Sequence, residues 1–126
     1  MKLFSIFGDP ITHSRSPLMH NSVFKTLGVC ACYSRTHLTE GSKLRDVFFA
    51  KALHGANVTV PHKEAAYAQC DEVRGIAKEI QAVNTIVLEK GKLIGYNTDA
   101  DGFMSAIQSF GPIRNALILG AGGTAR

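Results

Sequence analysis

Short apolar runs rich in β-branched and aromatic residues alternate along the chain with segments whose apolar positions recur at helical spacing, the pattern of βαβ units and a largely parallel sheet. The first run, Leu3 to Phe7, ends at Gly8-Asp9-Pro10, and a polar loop, Ile11-Thr12-His13-Ser14-Arg15-Ser16, leads to Pro17. Proline suits a first helical position, where its missing N–H is not needed, and Ser16 then takes the N-cap. From Leu18 the residues Met19, Val23, Phe24 and Leu27 recur at helical spacing until Gly28, predicting a helix of about three turns. Cys30 to Leu38 reads as a second strand, and the Ser42 to Leu53 region as a helix closed by Gly55. Gly55 to Val60 reads as a buried third strand, after which Pro61 opens a short helix carrying His62, Lys63 and Glu64.

Between Asp71 and Ile80 the pattern is weakly helical. Ala82 to Leu88 and Leu93 to Tyr96 then read as two strands joined by the tight turn Glu89-Lys90-Gly91-Lys92. Thr98-Asp99 begins a helix through Phe103, Met104 and Ile107 that ends near Gly111-Pro112. The apolar strand Ala116 to Leu119 runs into Gly120-Ala121-Gly122-Gly123-Thr124-Ala125-Arg126. The fold class predicted is α/β: a three-layer α/β/α domain with a mostly parallel sheet over residues 1–111, followed over 112–126 by the truncated start of a Rossmann-type domain.

Bulk properties narrow the function classes. The chain has 126 residues, 45% of them hydrophobic, enough for one ordinary core. The net charge of +4 comes from scattered basic residues with no run of like charge, which argues against a nucleic-acid partner and leaves room for a small anionic ligand. The start MKLFSIFGDP lacks the parts of a signal peptide, and no apolar run approaches membrane-spanning length, so a cytoplasmic protein with no membrane partner is expected. For the same reason the acceptor pattern Asn57-Val58-Thr59 carries no glycosylation reading. Cys30, Cys32 and Cys70 read as reduced packing residues rather than ligands or a redox pair. The histidines lack paired ligand spacing, so no metal site is expected.

Candidate chemistry sits at the ends of the predicted strands. Gly120, Gly122 and Ala125 fit G-x-G-x-x-G/A after an apolar strand, the arrangement in which a tight turn lets backbone approach a pyrophosphate; no Lys-Ser/Thr follows, unlike a P-loop. Ser14 and Ser16 flank Arg15 ahead of a helix, where hydroxyls and free amides either cap the helix or take a carboxylate. Lys63 lies near a helix start, opposed by the macrodipole unless something anionic is close; a solvated surface lysine is the other reading. Asp99 follows a strand and starts a helix, as a capping residue or as part of a ligand site at the strand ends. Asn84-Thr85 lies in an apolar run, where a buried amide needs partners from the backbone or a ligand.

In their order along the chain, the segments His13-Ser14-Arg15-Ser16-Pro17, Gly55 to Lys63, Ala82-Val83-Asn84-Thr85, Gly95 to Phe103 and the Gly120 to Arg126 turn resemble shikimate dehydrogenase. The resemblance implies NADP-dependent reduction of 3-dehydroshikimate to shikimate in chorismate and aromatic amino-acid biosynthesis. It implies that Ser14 and Ser16 hold the substrate carboxylate and that Thr59, Asn84 and Asp99 bind ring hydroxyls. It further implies that Lys63 contacts substrate and forms the catalytic pair with Asp99, and that Gly120, Ala121, Gly122, Gly123, Thr124 and Ala125 receive NADP.

The chemistry agrees with those roles. Hydride reduction of a ketone develops negative charge on the carbonyl oxygen, so a proton donor must face it, and an ammonium beside a carboxylate suits that task. A non-catalytic shikimate-binding module and an NAD-linked quinate/shikimate dehydrogenase are the competing readings. The oligomeric state stays open, with a homodimer as one option. The chain ends where a dinucleotide-binding half begins, and the expectation is that it does not catalyse the reaction alone.

Overall fold

The computed structural model describes residues 1–122. Its strands are β1 (Lys2–Gly8), β2 (Ala31–His37), β3 (Gly55–Val58), β4 (Glu72–Val73), β5 (Thr85–Glu89) and β6 (Lys92–Tyr96). The helices are α1 (Ser16–Thr26), α2 (Leu44–Ala50), α3 (Lys63–Gln69), α4 (Ala77–Ile80) and α5 (Asp99–Ile107). The six strands form one sheet in the order β2-β1-β3-β5-β6-β4. Pairing is parallel for β1 with β2, β1 with β3, and β4 with β6, whereas β5 runs antiparallel to both β3 and β6. The mostly parallel α/β fold expected from the alternating pattern is present, with one strand reversed.

Alternation along the strands divides the sheet into two unlike faces. Phe7, Ala56, Val58, Ile86 and Leu93 pack against Leu44 and Phe48 of α2, Ala66 of α3 and Ala77 of α4 in the main core. On the opposite face Phe4, Ile6, Ile11 and Tyr33 pack with Phe24 of α1 in a much smaller cluster. Helices on both sides of one sheet give the three layers.

The α1 side is held by polar as much as apolar contact. Asn21 of α1 pairs with both backbone groups of Tyr33, donating to its carbonyl and accepting its N–H, each at 2.8 Å. The His20 ring stacks on Tyr33 at 4.3 Å between centroids. Leu18, Met19, Val23 and Leu27, whose spacing predicted the helix, are exposed, so their periodicity reports the helix but not a stripe buried among the described residues.

Several boundaries differ from the sequence reading. Ser16 is the first helical residue rather than the N-cap, which is Arg15; the Ser16 N–H is taken by Ser14 Oγ at 3.3 Å, so the hydroxyl that serves the helix start sits two residues upstream. Gly55 does not close α2: the helix ends at Ala50, Ala52 turns the chain with φ of 50°, and Gly55 opens β3. A Cβ at Gly55 would lie 3.0 Å from the Ile86 carbonyl and 3.3 Å from the Phe4 ring, so close strand packing explains the glycine. Pro61 follows a cis bond in a turn closed by the His62 N–H on the Thr59 carbonyl at 3.0 Å, and α3 starts at Lys63. The Asp71 to Ile80 stretch is split between β4 and α4.

Ala116 to Leu119 forms no strand; Leu117, Ile118 and Leu119 are exposed, and a fully apolar strand needs neighbours that the described residues do not give it. The cysteines also depart from expectation in part. Cys70 packs on the main core, but Cys30 and Cys32 are exposed at the start of the edge strand β2. No helix of the described residues is long and apolar enough to cross a membrane.

Asp71 ties the end of α3 to β6. Its carboxylate accepts the Leu93 N–H at 2.7 Å and the Arg45 guanidinium at 3.1 Å, and these hold it below the usual carboxylate range. A carboxyl lowered in the folded state adds stability above its unfolded pKa of about 3.9, and this is lost as pH falls below that value. Urea midpoints measured between pH 7 and pH 3 are expected to fall, and Asp71→Asn to flatten part of the fall. In the core, Phe48 is fully buried, and Phe48→Ala is expected to cost about 3–5 kcal/mol in the same assay. Burial pushes the Cys70 thiol up to about 11. Maleimide labelling of the native protein near neutral pH, read by peptide mass spectrometry, is expected to modify Cys30 and Cys32 at least roughly tenfold faster than Cys70.

Candidate functional site

The strand directions bring the candidate residues to one edge of the sheet. β1, β3 and β6 finish at Gly8, Val58 and Tyr96, so the serine loop, Thr59 with Lys63, and Asn97 to Asp99 all emerge at the carboxyl edge. β5 runs the other way, so its start, Asn84-Thr85, lies at that same edge. Ligands of open α/β sheets bind outside the carboxyl ends of the strands, where helix N-termini and loops converge.

Lys63 and Asp99 meet there. The Lys63 ammonium is 2.6 Å from Asp99 Oδ2, with the lysine side chain 13% exposed and the aspartate 40%. Each is the first residue of its helix, Lys63 of α3 and Asp99 of α5. The Lys63 carbonyl accepts the Val83 N–H at 2.9 Å, which fixes the start of α3 against the segment leading to Asn84.

Asn84 is buried and holds the other carboxylate oxygen, donating from Nδ2 to Asp99 Oδ1 at 2.9 Å. Its second amide hydrogen goes to Thr98 Oγ1 at 2.9 Å, and Oδ1 accepts the Thr98 N–H at 3.0 Å and the Thr85 hydroxyl at 2.9 Å. The Asn97 side chain accepts the Asp99 N–H at 2.9 Å, satisfying an amide at the start of α5. The side chains expected from the sequence to act together, Lys63, Asn84 and Asp99, form one connected network.

Ser14 and Ser16 lie in the loop after β1, their hydroxyls 3.3 Å apart and partly buried. The loop is held by Arg35 of β2, whose guanidinium donates from Nε to the Ser14 carbonyl at 2.8 Å and from Nη2 to the same oxygen. Thr59, partly buried, joins β1 through its backbone N–H to the Phe7 carbonyl at 2.9 Å. Gly120, Ala121 and Gly122 are exposed and outside any helix or strand, while Gly123, Thr124 and Ala125 lie outside the described residues. Among the described residues no group of three or more His, Cys, Asp or Glu is placed to hold a metal.

Sequence reasoning passed over Tyr33, Arg35, Asn57 and Thr85 as site residues. Tyr33 is buried and its hydroxyl donates to Asn57 Oδ1 at 2.6 Å; burial pushes its phenol well above the usual range, so it stays a neutral donor. Asn57 donates in turn to Thr85 Oγ1 at 3.2 Å. A legible signal existed for Asn57: an amide between the buried Ala56 and Val58 of a strand must find partners on the opposite face.

Residues 6–86 match the family model described as the shikimate dehydrogenase substrate binding domain. The chain belongs to that family. It is 54% identical over 124 residues to a shikimate dehydrogenase (NADP(+)) of Helicobacter hepaticus, an alignment covering 98% of this chain and 46% of that protein. A shikimate dehydrogenase (NADP(+)) of Helicobacter pylori strain J99 is 48% identical over 132 aligned positions, covering 100% of this chain and 50% of the relative. The chain spans about half the length of the curated relatives it matches.

Solved shikimate dehydrogenases share the fold. Shikimate dehydrogenase 1 from Peptoclostridium difficile superposes with a TM-score of 0.89 at 35% identity, over 99% of this chain and 49% of that one. Shikimate 5-dehydrogenase from Thermus thermophilus, in complex with shikimate, gives 0.84 at 38% identity over 99% of this chain and 49% of its own. The family implied by the ordered sequence motifs is the family the chain belongs to.

Within the network Asn84 has the widest structural reach. Asn84→Ala removes the acceptor of the Thr98 N–H and a donor to Asp99, and is expected to lower unfolding free energy by about 1–3 kcal/mol. Chemical denaturation monitored by circular dichroism checks this.

Proposed function

We propose that this chain provides the substrate-binding and proton-transferring part of an NADP-dependent shikimate dehydrogenase, which interconverts 3-dehydroshikimate and shikimate in aromatic amino-acid biosynthesis. The observation that carries the reading is the Lys63–Asp99 contact of 2.6 Å at the carboxyl edge of the sheet, with Asn84 on the other carboxylate oxygen. The names of the relatives support it, as does the T. thermophilus structure in complex with NADP(H) and shikimate, which is 38% identical with a TM-score of 0.76.

The roles follow from the chemistry. Ser14 and Ser16 offer hydroxyls to the substrate carboxylate, and Thr59 and Asp99 meet the ring hydroxyls. Asn84 meets one by exchanging the Thr98 hydroxyl, which takes one of its amide hydrogens in the ligand-free chain, for that of the substrate. NADPH supplies the hydride when bound. As negative charge grows on the carbonyl oxygen, Lys63 gives that oxygen a proton from Nζ, and Asp99 holds the ammonium in place. In the oxidising direction the alcohol proton returns to Lys63.

The glycine turn suits a pyrophosphate. Among the described residues, chain neighbours aside, nothing lies within 4 Å of a Cβ built at Gly120 or Gly122, and φ at Gly120 is +116°, a conformation that glycine adopts readily and that lets backbone approach a phosphate. Gly120, Ala121 and Gly122 would hold it together with the residues after them. A cytoplasmic setting fits the exposed, unpaired Cys30 and Cys32, since a reducing compartment keeps such thiols free.

Calorimetric titration of the chain with shikimate and with NADP+ in turn tests the binding half of the proposal. Shikimate is expected to bind; its failure to bind would count against the reading. In an enzyme that includes a dinucleotide-binding half, Lys63→Ala is expected to lower turnover by about 10²–10⁴-fold while shikimate affinity changes far less. Near-normal turnover would remove Lys63 from its role.

A further inference from the structure

Resting on the proposed function, we infer that Asn57 and Thr85 are positioning residues for the Lys63–Asp99 pair, acting through a one-way chain of hydrogen bonds that starts at Tyr33. Every link has an assigned direction. The Tyr33 hydroxyl donates to Asn57 Oδ1 at 2.6 Å, and Asn57 Nδ2 donates to Thr85 Oγ1 at 3.2 Å. The Thr85 hydroxyl donates to Asn84 Oδ1 at 2.9 Å, and Asn84 Nδ2 donates to Asp99 Oδ1 at 2.9 Å. The far oxygen of that carboxylate receives Lys63 at 2.6 Å.

Three features make this chain more than a set of contacts. Its donors all point toward the anion, so each bond polarises the next in the same sense. Its direction also settles which way Asn84 faces. Asn84 Oδ1 accepts from the Thr85 hydroxyl and from the Thr98 N–H, which cannot act as an acceptor, so a flipped amide would set N–H against N–H and lose its bond to Asp99. Thirdly, the links follow strand geometry. Asn57 and Thr85 are register partners on β3 and β5, and Tyr33 stands on the same sheet face from β2, where the α1 residues Asn21 and His20 hold it. Rigid sheet thus sets the position of a carboxylate that lies on a helix beyond the sheet.

Thr85 gives the sharpest test, because valine keeps its shape and removes its hydroxyl, whereas serine keeps the hydroxyl. Two readouts are taken on the chain: the side-chain amide resonances of Asn84 in the absence of ligand, and shikimate affinity by calorimetry. Thr85→Val is expected to shift or broaden the Asn84 amide signals and to weaken shikimate about tenfold, the equivalent of one buried hydrogen bond. Thr85→Ser is expected to restore both. Tyr33→Phe, which cuts the chain at its origin with little change of shape, is expected to move the same amide signals to a smaller extent and serves if Thr85→Val does not fold.

Unchanged Asn84 signals and unchanged affinity in a folded Thr85→Val or Tyr33→Phe protein would overturn the inference. Equal losses in Thr85→Ser and Thr85→Val would overturn it too, since packing rather than the hydroxyl would then matter. If the unsubstituted chain bound no shikimate, the proposed function would fail, and the ligand-free amide signals would still decide whether the chain of bonds positions Asn84.

Discussion

Asn84 uses its side-chain hydrogen-bonding capacity inside the protein. Thr85 and Thr98 donate to its oxygen, and its amide hydrogens go to Thr98 and Asp99. A buried primary amide that lacked any of these partners would carry an uncompensated desolvation cost. Its surroundings must therefore be in register: the start of β5, the end of β6 and the first turn of α5 have to arrive together. They do so because β5 is reversed within the sheet, which puts its amino end beside the carboxyl ends of β3 and β6. A fully parallel sheet would have carried Asn84 to the opposite edge, away from both Lys63 and Asp99.

The two faces of the sheet divide the work. The face under α2, α3 and α4 is apolar and supplies the main core, with Phe7, Leu44, Phe48, Val83 and Leu93 excluded from solvent. The α1 face carries fewer apolar residues and, among them, the polar line Tyr33, Asn57 and Thr85. Polar groups on a sheet face add less to stability than apolar ones, but when every donor has a target they fix side-chain rotamers. The stabilising face and the positioning face share strands, so a residue of β3 such as Val58 anchors the core while Asn57 beside it turns toward the site.

How much of this could be read beforehand follows from the kind of signal each residue leaves. Alternating apolar runs and glycine stops located most elements, because backbone and burial demands repeat over many residues. Lys63 stood out because a cation near a helix start is opposed by the dipole, Asp99 because it lies between a strand end and a helix start, and Asn84 because an amide in an apolar run needs partners. Tyr33 left no such mark: a tyrosine in a strand is ordinary packing until its hydroxyl is seen to face Asn57. Strand pairing, which decides that meeting, is not written in local pattern. The reversed direction of β5 was half-visible as a hairpin with β6, but its insertion beside β3 was not. The apolar periodicity of α1 gave the helix and misled about burial, since Leu18, Met19, Val23 and Leu27 stay exposed. Capping by Ser16 failed for a smaller reason: the helix begins one residue earlier, with Arg15 at the cap and the Ser16 N–H itself taken by Ser14 Oγ.

The placement of the charged pair shows why these supports are needed. Lys63 begins α3 and Asp99 begins α5, so two helix N-termini, each with a positive field, lie close to one another. That field favours the aspartate and opposes the lysine. The lysine is also the less exposed of the two, at 13% against 40%, so the cation has given up more water than the anion. Its direct contact with Asp99 offsets part of both costs only while the carboxylate stays at 2.6 Å. A helix terminus free to sway would not keep that distance. Asp99 is held by Asn84 from the sheet side and by Asn97 at its own backbone, which leaves the exposed remainder of the carboxylate as the side open to a ligand.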